Sequence, residues 1–346
     1  MREIFALRPA SERPGWSWWL TVLLVTAGLM AVPSYYDLAF LFDTTTIFVF
    51  ALLALSMSFL WGYVGILSLG QTAMFGLGGY IYAVMSMNTG DTTTAALAGI
   101  ILPAAFAALI GYFLIWGRIS DIYFSVITLV VTLILEKAIR ATSGDQFVVG
   151  SVRLNGQNGI PGVPALQIPW SPEETLFIDG VFYLAAGLMM LVYVALRLLL
   201  TSGFGQVLVG LRENQRRVEL LGYDSRRYHL AAFILSGAIA GLAGVLFAVW
   251  GNFVGPSMFD LNQAAQVIIW VIVGGRMTLA GPILGTALIV YLTTWLGTQG
   301  VGQVTLVLGG ILTLFVLLFK NGLLPSISEA LSAVEASLRG KKEGRS

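Results

Sequence analysis

The chain has 346 residues, of which 57% are apolar and only 11% charged, and its mean hydropathy is +0.84. Soluble domains carry about 25% charged residues, so most of this chain is suited to lipid. A net charge of +1 gives no pull toward nucleic acid. The absence of cysteine excludes disulfides and thiolate sites, and a single histidine, His229, argues against a zinc centre or a Ser-His-Asp triad.

A helix needs about 20 apolar residues to cross the hydrocarbon, fewer where neighbours shelter a short or broken segment. In chain order the pattern predicts ten spans, near 16–36, 47–62, 66–87, 95–117, 122–140, 177–200, 229–251, 264–275, 279–297 and 304–319. The second and eighth are short, and the joints GYVG (62–65) and GGRM (274–277) are glycine-rich, so eight or nine spans are alternative counts. Arg2, Arg8 and Arg13 precede the first span, as in a signal peptide. Its length, the lack of a small-residue cleavage site and the many spans that follow read as an uncleaved helix. The fold class is an all-α integral membrane protein, a polytopic helical bundle.

Lysine and arginine bias orients the bundle. With the N-terminus inside, the outer side keeps only Lys137, Arg140 and Arg153 of the 19 basic residues. Ten spans then place both termini in the cytoplasm. Residues 1–320 form the membrane domain, with a Gly-, Pro- and Asn-rich outer loop at 141–176 and a cytoplasmic loop at 201–228. Residues 321–346 form an inner tail. There Ile327, Leu331, Val334 and Leu338 recur at helical intervals, as in a short amphipathic helix on the membrane surface, followed by the basic RGKKEGRS.

Charge is concentrated in RENQRRVELLGYDSRR (212–227), which holds five arginines, two glutamates and an aspartate. Glu213 and Arg217 stand at ion-pair spacing on a helix. Leu208, Leu211, Val218 and Leu221 supply an apolar side, Gly222 suits a stop, and Asp224 or Ser225 can cap the next helix. Such a helix lying across the inner face is either a docking surface or a solvated loop that satisfies the charge bias.

Four blocks, in order, resemble the branched-chain amino acid ABC permease family. They are GYVGILSLGQTAMFGLGGY (62–80), NGQNGIPGVP (155–164), GLRENQRRVELLGYDSRRYHLAAFILSGAIAGLAGVLFA (210–248) and VGGRMTLAGPILGTAL (273–288). The resemblance implies that the charged loop is the coupling helix that enters a cleft of a cytoplasmic ATPase, with Arg212, Glu213, Arg216, Arg217, Glu219 and Gly222 at the contact. It also implies a second homologous permease subunit, two ATPase subunits that hold the ATP, a periplasmic solute-binding protein and a bacterial inner membrane. The chain has no G-x-x-x-x-G-K-[ST] motif. It is therefore expected to be a transport subunit rather than an enzyme, binding no cofactor itself.

The glycine-rich block at 62–80 reads either as close helix packing or as a broken helix with free backbone beside the solute path. Gln71 is the leading path candidate because its amide is awkward in lipid; Ser68, Gly70 and Thr72 stand beside it. Glu136, Lys137 and Arg140 read mainly as structural pairing, Arg276 as a snorkelling cation, Gly237, Gly241 and Gly244 as packing positions, and His229 as a polar anchor.

The WVIVGGRMTLAGPILG stretch (270–285) looks more like urea-type permeases, since amino acid permeases usually have GGLGS where this chain has GGRMT. Urea or short-chain amides are therefore the first expected solutes and branched-chain amino acids the second. An ATP-independent channel or secondary transporter is the rival class. Proton- or sodium-coupled carriers usually keep midplane carboxylates, and the predicted spans have none.

Overall fold

The computed structural model describes residues 15–168, 171–299, 309–310, 313, 315 and 322–326. The tenth predicted span at 304–319 and the tail helix at 327–338 lie largely or wholly outside the described residues. Among the described residues, seven helices are long and apolar enough to cross a membrane. The protein is an all-α, multi-pass bundle.

Helix α1 is Trp16–Ala31 and α2 is Leu38–Ser58, continued without interruption by a π-helical turn, Phe59–Val64. α2 starts earlier than the apolar pattern predicts, because Asp43 and three threonines interrupt its first turns. Asp37 caps it by accepting from Phe40 N at 3.2 Å. The hydroxyls of Thr44, Thr45 and Thr46 donate to carbonyls four residues back, so the polar groups are satisfied within the helix.

Next come α3 (Gln71–Thr89), α4 (Thr92–Trp116), α5 (Asp121–Ala141) and α6 (Ile178–Thr201). α7 is Gly203–Leu220, α8 Ser225–Gly251, α9 Leu261–Gly274 and α10 Ala280–Thr298. α2 and α8 form the core. α8 crosses α3 and α4 so closely that a Cβ at Gly244 would overlap the Phe75 carbonyl, and one at Gly78 the Gly241 carbonyl. Gly237 likewise faces Ala107. The glycines at 237, 241 and 244 are packing positions, and dispersion between touching backbones holds this trio together where lipid offers no hydrophobic drive.

The joints gather at two ends. At one, Gly62, Arg212 and Arg276 meet; this is the α7 end. At the other, Asn88 bonds to Val149 and Ser151, Gln167 N to Thr92, and Asn252 to Val163. Ile160–Pro161 pairs antiparallel with Phe253–Val254 there. The loop 142–177 is thus tied to the bundle at the loop end.

Candidate functional site: a helix break joined to a kinked polar helix

The third predicted span is not a continuous helix. Gly65 takes φ +90°, residues 66–70 leave helical geometry, and α3 begins only at Gln71. A left-handed residue suits glycine because it lacks the Cβ that would clash. Non-helical backbone within a membrane bundle persists only when other groups satisfy it. Here α5 does so: Thr128 Oγ1 accepts from Leu69 N at 3.1 Å, and Ser125 Oγ donates to Leu67 O at 2.7 Å. Thr132 Oγ1 reaches Leu69 O at 3.4 Å, and Ser68 Oγ accepts from Gly70 N at 3.2 Å. At Gly70 a Cβ would stand 3.2 Å from Thr128 Cβ, so the break and α5 are in contact.

The four path candidates therefore share one place. Ser68, Gln71 and Thr72 are buried, and Thr72 Oγ1 reaches back to Leu69 O at 3.4 Å. Ser56 Oγ donates its one proton to Leu53 O at 2.7 Å and lies 3.2 Å from Gln71 Oε1, and Ser236 Oγ donates to Ser56 O at 2.8 Å, linking α2, α3 and α8. The Gln71 Nε2 group is buried with no partner among the described residues.

Sequence reasoning missed the α5 face of Ser125, Thr128 and Thr132. Each hydroxyl is an innocuous feature of an apolar helix; their three- and four-residue spacing, which stacks them on one face, was the readable signal. Glu136 continues that face. It is buried and accepts from Arg140 Nε at 2.6 Å, so the expected pair forms, with the carboxylate buried and the guanidinium partly exposed.

The charged loop folds as α7, with a difference. Asn214 has φ −160° and ψ 95°, and its Oδ1 accepts from Arg217 N at 3.0 Å, restarting the helix as an N-cap would. Glu213 and Arg217 consequently sit in different helical segments, and the predicted pair between them does not form. Glu213 pairs with Arg212 instead. Arg212 also donates to the Gly62 carbonyl and lies 3.2 Å from Met277 Sδ.

Glu219 accepts from Ser225 Oγ at 2.5 Å and from Gln215 Nε2 at 2.8 Å, which holds its carboxyl below the usual carboxylate range. Gly222 ends the segment at φ +93°, and Asp224 caps α8 by accepting from Arg226 N at 3.1 Å. Leu208, Leu211 and Val218 are buried as the pattern predicts, but Leu221 is not. Leu220 and Leu221 are 88% and 73% exposed, and Arg216 and Arg217 are exposed beside them. The kinked segment thus presents apolar and cationic groups together.

Two cavities flank it. One of about 300 Å³ lies between Arg118, Asp121, Glu219, Arg226 and His229, so the histidine is part of a polar pocket. The other, about 310 Å³, is lined by Trp61, Gly65, Arg212, Glu213, Arg276 and Met277. Arg276 is exposed, with its guanidinium 5.5 Å from the Trp61 ring centre, a cation–π contact at the α7 end. The GGRMT stretch makes the α9–α10 joint. Gly275 takes φ +108°, Gly274 packs on Gly281, and Thr278 Oγ1 accepts from Gly281 N at 3.1 Å.

Residues 40–317 match the family model described as branched-chain amino acid transport system / permease component. The high-affinity branched-chain amino acid transport system permease protein LivM of Escherichia coli K12 is 27% identical, over 93% of this chain and 77% of the relative. LivM of Salmonella typhimurium LT2 is also 27% identical over the same shares. The autoinducer 2 import system permease protein LsrC of Salmonella typhimurium LT2 is 25% identical, over 79% of this chain and 76% of the relative. No solved structure matches the chain.

Proposed function

This chain belongs to the branched-chain amino acid transport system permease family, and from that premise we propose that it carries branched-chain amino acids inward as the membrane subunit of an ABC importer. The family makes it a transport subunit rather than an enzyme and removes the channel and secondary-carrier readings. The second of the expected solute classes is the better supported. The two LivM relatives favour branched-chain amino acids. The GGRMT departure that pointed to urea or short amides lies in a helix joint whose residues serve packing and a Trp61 contact.

The observation that carries the mechanism is the helix break at 65–70. It is held by α5 hydroxyls on one side and by Arg212 of α7 on the other. A movement imposed on α7 reaches the break through Arg212 and its neighbours, and the break carries Gln71 at the start of α3. In this reading the α7 end faces the cytoplasm, where two ATPase subunits hold ATP and dock on Arg212–Gly222. The loop end faces outward and receives the solute from a binding protein, and a second homologous permease completes the path. Residues 1–320 are the membrane domain and 321–346 the inner tail, in a bacterial inner membrane.

The test is uptake by proteoliposomes holding this chain with its partner permease, ATPases and binding protein. Leucine, isoleucine and valine should accumulate with ATP, and urea and acetamide should not. Uptake of urea without leucine overturns the solute assignment. A cysteine placed by Asn214→Cys should react with impermeant reagents only from the inside; outside labelling of intact cells overturns the orientation.

A further inference from the structure

The polar face of α5 runs beyond the break toward the loop end. After Ser125, Thr128 and Thr132 comes Glu136, 4% exposed, on the next turn of the same face. Arg140 donates to Glu136 at 2.6 Å and lies 3.8 Å from Asp260, the residue that precedes α9. Two buried polar atoms at this end have no partner among the described residues. One is the Tyr80 hydroxyl, on a side chain 5% exposed and within electrostatic reach of Arg140. The other is Nε2 of Gln263, one turn into α9 from Asp260.

Stapling the end of α5 does not account for this arrangement. A helix-end pair at i,i+4 works at the surface and requires neither a buried carboxylate nor a second acid from another element. Nor does it explain a buried hydroxyl left unpaired, a costly omission in a protein interior. A buried ionisable group in a membrane helix is a functional suspect by default; here that group is Glu136, and Arg140 and Asp260 beside it are 31% and 35% exposed. The ring of Phe259, fully buried, lies 5.7 Å from that of Tyr80 and gives the cluster an apolar wall.

We propose that Glu136, Arg140 and Asp260, with the Tyr80 hydroxyl, form a recognition site for the ammonium and carboxylate groups of a free α-amino acid. The guanidinium takes the carboxylate in place of its long contact with Asp260, and the released Asp260 carboxylate, beside Glu136, takes the ammonium. Tyr80 supplies the remaining donor, and the solute side chain lies toward Phe259. A neutral amide has no charge to exchange with this network. The inference rests on the amino acid reading above and deepens it.

The test measures binding of radiolabelled leucine to the permease–ATPase assembly in lipid nanodiscs, with no binding protein, beside leucine uptake by the complete transporter. Leucinamide, which lacks the carboxylate, and isocaproate, which lacks the ammonium, should compete about tenfold or more weakly than leucine, the loss expected for a charge-assisted contact. Asp260→Asn and Glu136→Gln should weaken binding by about the same factor, and Tyr80→Phe by severalfold. Tyr80→Phe removes a hydroxyl that has no partner among the described residues, so the fold is expected to hold. Equal competition by both analogues, or unchanged leucine affinity in Tyr80→Phe and Asp260→Asn, overturns the site. Leucine uptake without binding to this assembly overturns the site alone, while the absence of leucine uptake overturns the amino acid reading and the site with it.

Discussion

Arg212 of α7 donates through Nη1 to the carbonyl oxygen of Gly62, in the last turn before the chain breaks at Gly65. A helix end leaves carbonyls without partners, and here the missing donor comes from the segment that the family resemblance assigns to coupling. A hydrogen bond from a charged donor contributes about 1.5–3 kcal/mol, and 1.4 kcal/mol is a factor of about ten. Arg212→Ala should therefore lower transport-coupled ATP hydrolysis about tenfold or more while the permease still inserts in the membrane. Gly65→Ala should perturb the same joint, since a Cβ there meets Arg212 Cγ at 2.9 Å and φ is +90°. The left-handed conformation alone costs roughly 1–2 kcal/mol for a non-glycine residue. Hydrolysis by the reconstituted complex, with and without loaded binding protein, checks both variants.

Gln71 separates stability from function. Its Nε2 is buried and has no partner among the described residues, a deficit of about 1–3 kcal/mol. Gln71→Leu removes that donor, and Ser56 Oγ keeps its bond to Leu53 O at 2.7 Å. The variant should unfold at the same or a higher temperature, yet transport about tenfold more slowly or worse. Thermal unfolding in detergent and uptake in vesicles measure the two sides. Normal transport would make Gln71 a packing residue only.

Glu219 gives the α7–α8 junction a pH dependence of known sign. Hydrogen bonds from Ser225 and then Gln215 lower its pKa in the folded protein. A lowered carboxyl contributes stability that is present above the unfolded pKa, about 4.3 for glutamate, and lost as pH falls through the folded value. The junction should therefore hold from neutral pH to well into the acid range and loosen only below the ordinary glutamate pKa. Ser225→Ala removes the largest cause, so the carboxyl should titrate at higher pH. Carbon NMR of labelled glutamate across the acid range reads both; identical midpoints in the two proteins would show that the hydroxyl does not set the shift.

Much of this arrangement is legible in the sequence, and what is not has local causes. Nine predicted spans overlap helices, seven of them long and apolar enough to cross a membrane, because a long apolar run has few other fates in lipid. Gly222 and Asp224 serve as stop and cap, since those residue types act through their own backbone or side-chain geometry. The start of α2 was hidden because Asp43 and Thr44–Thr46 look like a loop until each hydroxyl is seen to bond within its own helix. The break was foreshadowed by its glycines, but not its location, which depends on hydroxyls contributed by α5 more than fifty residues away. The kink at Asn214 defeated the spacing of Glu213 and Arg217 because one amide side chain replaced a helical bond. Periodicity reads a helix face well only while the helix continues.

The exposure of Leu220 and Leu221 leads to a prediction about which part of α7 holds the ATPase. Exposed single ion pairs contribute roughly 0–1 kcal/mol, so changing Arg216 or Arg217 alone should alter little. Interfaces draw most of their strength from a few apolar or aromatic anchors buried in a partner's pocket, with charges at the rim. Burial of one leucine side chain is worth about 1.5–3 kcal/mol. Two leucines, 88% and 73% exposed, next to a positive-φ Gly222 that turns the chain away, have the shape of such an anchor. Leu220→Ser with Leu221→Ser should weaken ATPase association by about a hundredfold, given tenfold per 1.4 kcal/mol. Replacing Glu213, Arg216, Arg217 and Glu219 together should mainly slow association and make it less sensitive to salt. Co-purification and binding kinetics of the two variants against the same ATPase separate these roles. A leucine variant that binds like the wild type, while the charge variant fails to bind, would place the docking energy on the charged side chains instead.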